Sequence, residues 1–380
     1  MSIDYLSIPS PCYVLDEERF RRNLSLIKNI SDATGVEIIL AFKGFAMWSA
    51  FPLLREYNIT GAAASSLNEA RLCYEEIGTP AHTYSPVFKE TEFDKILNYS
   101  SHITFNSISQ YRKFKNTISR HPNKVSVGLR VNPEFSEIGH GIYNPCSPGS
   151  RLGVTAKDLR GGLPEGIEGL HFHVLFESDS YAFERVLNII EDKFSGLFPG
   201  IKWINMGGGH LVTKKGYDIN HLIGLLKRFK EKYGLHIILE PGSAFAWETG
   251  ELVATVEDIV ENQGIKTAIL DVSFTAHMPD CLEMPYKPAI LNASEPTHGK
   301  PVYRLGGNSC LSGDVMGEWS FEKELVPGDR IVFLDMIHYT MVKTTLFNGV
   351  QHPSIGIWTT EGKFKLVRRF GYEDYKNRLS

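Results

Sequence analysis

The sequence predicts an α/β protein, a (β/α)8 barrel over residues 17–245 followed by an all-β domain over residues 246–380. Three observations predict it. Eight short apolar runs recur along the first two thirds of the chain, separated by polar turns and by amphipathic segments with apolar residues three and four apart. After Gly250 the runs become β-rich and periodic segments of helical length disappear. At 380 residues the chain is too long for one ordinary small domain and accommodates a barrel of about 250 residues with a second unit beside it.

In chain order the apolar runs are EIILAF (37–42), ITGAAA (59–64), AHTYS (81–85), HITFN (102–106), KVSVGLRV (124–131), IEGLHFHV (167–174), IKWINMG (201–207) and LHIILE (235–240). Helical patterns lie between them at 17–31, 66–77, 90–97, 108–119, 181–194 and 219–232. Strands alternating with helices imply βαβ units, and eight units imply closure into a barrel. An open doubly wound sheet is the alternative, but no GxGxxG follows the first run. Beyond Gly250, ELVATVEDIVEN, KTAILDVSF, KPVYRLGG, DRIVFLDMIHYTMV and SIGIWTT read as strands, and PCYVLD (11–16) within the N-terminal segment 1–16 is an extended piece expected to join them.

Composition narrows the function. A net charge of −4 gives no electrostatic case for nucleic acid or an anionic membrane surface, so small-molecule partners are expected. No apolar run approaches the ~18 residues of a membrane span, and the N-terminus lacks the basic stretch and apolar core of a secretory signal. The five cysteines, Cys12, Cys73, Cys146, Cys281 and Cys310, are odd in number and have no CxxC spacing, so neither a disulfide framework nor a metal site is expected. A reducing, cytoplasmic compartment follows as the expectation.

In a (β/α)8 barrel the chemistry sits at the C-terminal ends of the strands. Lys43 ends the first run; Ser65 and Ser66 follow the second, and Asn106 ends the fourth. Arg130 and Asn132 end the fifth, His173 the sixth, Gly207, Gly208 and Gly209 follow the seventh, and Glu240, Pro241 and Gly242 close the eighth. Singly these are a loop lysine, a core histidine, a tight turn and a strand-end carboxylate. Together they suit one group. A partly desolvated lysine can form a Schiff base with an aldehyde cofactor, glycine turns bring backbone N–H groups to a phosphate, and a buried carboxylate matches a protonated pyridine nitrogen. That set describes a pyridoxal 5'-phosphate site.

These motifs resemble those of the fold-type III (alanine racemase-like) pyridoxal-phosphate decarboxylases, the group that includes ornithine and diaminopimelate decarboxylases. Within it the chain is most similar to the carboxynorspermidine (carboxyspermidine) decarboxylase branch. AFKGF, GLHFHV, NMGGGH, LEPGS, GGNSCLSGD and IHYTMV recur in the family's order over essentially the whole chain. The resemblance implies Lys43 as the cofactor lysine, His173 as the ring-stacking group and Glu240 as the partner of the pyridine nitrogen. It implies Gly207, Gly208, Gly209, Gly242 and Tyr339 as phosphate ligands. Cys310, near the substrate Cα, and Asp314, near a substrate amine, are implied to enter from the second subunit of a homodimer with shared active sites. Arg151 in GSRLGV resembles a basic residue near the cofactor in relatives and equally suits a surface ion pair.

Two departures bear on the substrate. Ser243 stands in LEPGS where ornithine and diaminopimelate decarboxylases commonly carry arginine, and HFHVLFES lacks their Gly-Ser after the histidine. Both favour the carboxypolyamine branch, which the DVSFTAHMPDCLEMPYKP segment (271–288) also resembles. The expected reaction is decarboxylation of carboxynorspermidine or carboxyspermidine to norspermidine or spermidine, with Asp280, Glu283, Glu177 and Asp314 as candidate holders of the distal ammonium groups. A diaminopimelate- or ornithine-type decarboxylase, a racemase, and a non-catalytic pyridoxal-phosphate barrel are the alternatives.

Overall fold

The computed structural model describes residues 3–139, 141 and 143–380, so Met1 and Ser2 of the N-terminal segment lie outside the described residues. The chain forms two compact units, one made of the residues up to Arg22 with Ala246–Ser380, the other of Asn23–Phe245.

The strands, in chain order, are β1 (Cys12–Asp16), β2 (Glu37–Ile38), β3 (Leu40–Ala41), β4 (Ala62–Ala64), β5 (Ala81–Ser85), β6 (Ser100–Phe105), β7 (Ser126–Arg130), β8 (Gly169–His171), β9 (Trp203–Asn205) and β10 (His236–Leu239). In the second unit they continue as β11 (Gly250–Asn262), β12 (Ile265–Leu270), β13 (Ala293–Ser294), β14 (Val302–Gly306), β15 (Val315–Phe321), β16 (Arg330–Phe333), β17 (Ser354–Trp358) and β18 (Phe364–Arg368).

The barrel sheet runs β2-β10-β9-β8-β7-β6-β5-β4-β3, with every pair parallel. Its two ends are one piece of chain. Ile39 and Ala41 donate to Leu239 and Pro241 of the last strand, while Leu40 and Phe42 donate to Gly61 and Ala63 of the second. The run 37–42 is therefore a single strand bonded on both sides, and the sheet is a closed eight-stranded barrel. Inside it Trp203 lies over Gly169 and Gly128, where a Cβ would stand 2.0 and 2.3 Å from the indole, so only glycine admits the ring.

Helices return the chain between strands, and their starts are capped as the sequence invites. The side chains of Ser66, Ser107, Asp179 and Asp218 accept the N–H groups of Glu69, Gln110, Ala182 and His221. One unit departs from the regular rhythm. Between β7 and β8 the only helical piece among the described residues is the 3-10 turn Ala156–Leu159. This stretch is rich in proline and glycine, which break the backbone hydrogen-bond ladder of an α-helix.

The second unit is a mixed sheet, β13-β15-β14-β12-β11-β1-β17-β18, with β16 beside β11. β1 lies between β11, antiparallel to it, and β17, parallel to it. Cys12, Val14, Val253 and Trp358 pack together with Ile8 in its core. Beside its strands the unit carries the short helices Phe274–His277 and Pro279–Glu283 within 271–288, the first capped by Ser273. One sequence expectation is corrected here: IHYTMV is not a strand. Strand β16 ends at Phe333, Tyr339 adopts a left-handed φ of 45°, and Met341–Lys343 forms a 3-10 turn.

Candidate active site at the strand ends

Lys43 lies two residues beyond β3 and His173 two beyond β8, while Gly207 is two beyond β9 and Glu240 one beyond β10. In a closed parallel barrel those positions share one rim. Lys43 Nζ stands 3.1 Å from His173 Nε2, and His173 Nδ1 accepts the Gly208 N–H at 3.0 Å. Glu240, 9% exposed, accepts from His171 Nε2 at 2.9 Å on one oxygen and from Asn205 Nδ2 at 3.0 Å on the other. Asn205 Oδ1 in turn accepts the Gly207 N–H at 2.8 Å. The buried Arg130 donates to the His173 carbonyl at 3.0 Å, with its guanidinium 4.8 Å from the centre of the Tyr84 ring.

The electrostatics follow from this packing. Burial pushes the Lys43 amine below the ordinary lysine value; Arg130 adds to that shift, and Glu240 opposes it. Burial, with Lys43 and Arg130, holds the His173 imidazole well below its ordinary range. Burial likewise lowers His171. At Glu240 burial opposes ionisation, but the facing His171 and its hydrogen bond outweigh it, so the carboxyl lies below the usual carboxylate range.

Of the sequence-predicted residues, Lys43, His173, Gly207, Gly208, Gly209, Glu240 and Gly242 come together at this rim. A Cβ on Gly44, next to Lys43, would stand 2.8 Å from Gly242 Cα, so the two turns touch backbone to backbone. The glycine triplet has a more specific build than a bare phosphate turn. Gly207 and Gly209 have φ of 71° and 89°, and Cβ atoms on the triplet would meet the Phe172, Glu240 and Leu175 carbonyls at 2.4, 2.3 and 2.2 Å. The Gly207 and Gly208 N–H groups are already used by Asn205 and His173. No partner of the Gly209 N–H is seen among the described residues. Glu177 is exposed on the loop after β8 at φ 45°, and Arg151 is exposed, its carbonyl accepting from Asn106 at 2.7 Å.

Cys310, Asp314, Asp280, Glu283 and Tyr339 belong to the other unit. Cys310 is exposed, with its N–H donated to Asn348 Oδ1 at 3.0 Å. Asp314 is 3% exposed and its oxygens accept N–H groups of its own unit: Phe274 at 2.8 Å and Thr275 at 3.2 Å on Oδ1, Ser309 at 3.1 Å on Oδ2. Glu283 is exposed and paired with Lys343 at 2.6 Å. Asp280, 7% exposed, accepts the Tyr286 hydroxyl at 2.9 Å on Oδ2, while no protein group meets its buried Oδ1 among the described residues.

Sequence reasoning passed over His171 and Asn205 and left Arg130 without a role. The signal was present as spacing: His171 and His173 are two residues apart and so face the same side of a strand, and the register pairs His171 with Arg130 and with Asn205.

Comparison with known proteins agrees with this geometry. Residues 12–337 match the family model described as pyridoxal-dependent decarboxylase, C-terminal sheet domain. The chain is 50% identical to the carboxyaminopropylagmatine decarboxylase of Synechocystis sp., over 98% of this chain and 96% of that protein. It is 45% identical to the carboxynorspermidine/carboxyspermidine decarboxylase of Campylobacter jejuni, over 98% and 99%. The crystal structure of the carboxynorspermidine decarboxylase of that species, complexed with norspermidine, superimposes with a TM-score of 0.91 at 44% identity, covering 98% of this chain and all of that one. The chain belongs to the pyridoxal-dependent decarboxylases, and it is an enzyme of the fold-type III architecture, barrel and sheet domain together. No helix among the described residues is long and apolar enough to cross a membrane.

Proposed function

We propose that the enzyme removes the α-carboxyl group of carboxynorspermidine or carboxyspermidine, with pyridoxal 5'-phosphate carried on Lys43. The observation that carries this reading is full-length similarity, at 44–45% identity, to an enzyme named for these substrates and to a structure holding norspermidine. The residues at the rim fit the cofactor: a desolvated amine, an ionised buried carboxylate, and a glycine turn that backbone crowding keeps free of side chains.

When bound, pyridoxal phosphate supplies an aldehyde for the substrate amine and a π-system that accepts the electron pair left at Cα as CO2 departs. The chain's own residues do the rest. Glu240, its carboxylate oriented by Asn205 and His171, would stand opposite the ring nitrogen and keep it protonated. His173, oriented by the Gly208 N–H, would pack against the ring. Gly209 and Gly242 offer backbone N–H groups to the phosphate, Tyr339 offers its hydroxyl, and Gly207 and Gly208 shape the turn. Cys310 of the partner subunit returns the proton to Cα in a homodimer whose sites are shared.

For the distal amines the best-equipped acid is Asp280, whose unmatched buried oxygen suits an ammonium group. Glu283 and Glu177 are exposed and act at most on the rim. Asp314, with both oxygens engaged, holds the Cys310 loop to the helix Phe274–His277 instead of meeting substrate.

A second reading rests on the 50% identity to the carboxyaminopropylagmatine enzyme: the substrate would then end in a guanidinium group. The test is kcat/KM, by CO2 release, for carboxynorspermidine, carboxyspermidine, carboxyaminopropylagmatine, meso-diaminopimelate and ornithine. We expect one of the first two to lead. A tenfold lead for the guanidino substrate selects the second reading; a lead for diaminopimelate or ornithine overturns both and leaves the cofactor chemistry standing.

A further inference from the structure

The contacts of His173 decide the protonation state of its neighbour. A backbone N–H can only donate, so the Gly208 N–H at 3.0 Å makes His173 Nδ1 an acceptor. A neutral imidazole has one N–H and one lone pair, so its proton must then sit on Nε2. If Lys43 were an ammonium, it would offer only N–H donors to Nε2, and the ring would have to accept at both nitrogens, which only an imidazolate can do. The 3.1 Å contact between Lys43 Nζ and His173 Nε2 is therefore a hydrogen bond in one direction, from the imidazole to the amine lone pair.

We propose that, before cofactor arrives, the Gly208–His173 pair holds Lys43 as the free amine, so that the enzyme keeps its cofactor lysine in the nucleophilic state. His173 here is a positioning residue for Lys43, a role separate from any contact with the cofactor ring. The proposal rests on the reading that Lys43 carries the cofactor.

The other groups facing Lys43 are compatible with a neutral amine. Arg130 and Glu240 are charged and of opposite sign, so they balance without a cation on Lys43. His171 and His173 are buried and disfavour further positive charge. Glu69 is the remaining acid; burial raises its carboxyl, and its Oε2 is engaged by the Ser65 N–H at 2.6 Å. The state matters for capture because the amine lone pair attacks the aldehyde carbon. A C–N bond forms, and the oxygen leaves as water with the two amine protons.

The experiment is the rate at which the full-length protein, stripped of cofactor, takes up pyridoxal 5'-phosphate between pH 9 and pH 7, followed by absorbance and trapped with borohydride. A lysine with an ordinary pKa of about 10.4 loses about tenfold in free amine per pH unit, or about 100-fold over this window. We expect wild type to lose less than about 3-fold and His173→Phe, which keeps a ring but removes the donor, to lose several-fold more than wild type, short of the about 100-fold of an unperturbed lysine because burial and Arg130 still lower its amine. The ratio of the two profiles cancels the ionisations of pyridoxal phosphate itself. His173→Gln, which retains an N–H donor, should recover part of the flat profile. A wild-type rate that falls tenfold per pH unit, with the label on Lys43, overturns the relay and leaves the site assignment intact. Label on another lysine overturns the site assignment itself. Should His173→Phe fail to fold, a wild-type rate that falls tenfold per pH unit still overturns the relay, and the His173→Gln profile set against wild type carries the comparison.

Discussion

At the N-terminal end of the barrel Glu37 accepts from His236 at 2.7 Å and faces His82 at 3.9 Å, and the His82 and His102 rings lie 4.0 Å apart. At the C-terminal end Glu240 accepts from His171 and Asn205, and His173 faces Lys43. Both ends thus pair carboxylate with imidazole, yet their construction differs. Glu37 and His236 meet side chain to side chain and lie open to solvent, with His82 only within ion-pair distance of Glu37. At the other end each group is aimed by a neighbour that takes no part in chemistry: Gly208 N–H turns His173, and Asn205, itself held by Gly207 N–H, turns Glu240. The lesson is that a cluster of titratable groups becomes a site when rigid donors fix the orientation of its members.

The same chemical change at the two ends should give opposite results. Glu240→Gln removes the charge we propose to stand opposite the ring nitrogen and should lower kcat by about 10²–10³-fold while changing Tm little. Glu37→Gln should leave kcat unchanged. If Glu240→Gln retains more than a tenth of wild-type kcat, the contrast between the ends is lost.

Asp280 extends the contrast to a buried carboxylate with a vacant oxygen. Asp280→Asn keeps the shape and the Tyr286 contact, and should cost about 2 kcal/mol in kcat/KM for the preferred polyamine, about 30-fold, with turnover of ornithine hardly altered. An equal loss on both substrates would make Asp280 structural only.

The smallest effect belongs to the N-terminal end and appears in acid. Burial, with His82 beside it, pushes the His102 imidazole down to about 3, against about 6.5 in an unfolded chain. The unfolded chain therefore takes the proton first, so the stability gained from a neutral His102 is full above pH 6.5 and drains away as pH falls towards 3. His102→Gln should shrink the fall in Tm between pH 7 and pH 5 by about 2–4 °C. A fall as steep as that of wild type would place the acid sensitivity elsewhere.

Reading the strand ends locates Lys43, His173, the glycine turn and Glu240, because each lies at the end of an apolar run and one or two residues beyond a barrel strand, where a barrel exposes its chemistry. Arg130 also stands at a run's end, but its type alone gave it no role, while His171 and Asn205 sit further inside the runs and look like interruptions of the core. At Asp314, which the family resemblance implies near a substrate amine, the N–H groups that engage the carboxylate come from Phe274 and Thr275, some forty residues earlier, a pairing local sequence does not disclose. Tyr339 sits in a segment with strand composition that folds as turns, with Tyr339 at a left-handed φ of 45°.

The first barrel strand also sets an order of events during synthesis. Ile39 and Ala41 bond to Leu239 and Pro241, about two hundred residues further on, and Lys43 follows within a few positions of that seam. A nascent chain on the ribosome has emerged with Lys43, the proposed cofactor lysine, long before the strand that closes the barrel beside it exists. Closing so long a loop is slow and entropically costly, and it comes last. Acquisition of cofactor colour by a growing chain would therefore time the sealing of the seam, and truncation before residue 239 should leave Lys43 present but colourless.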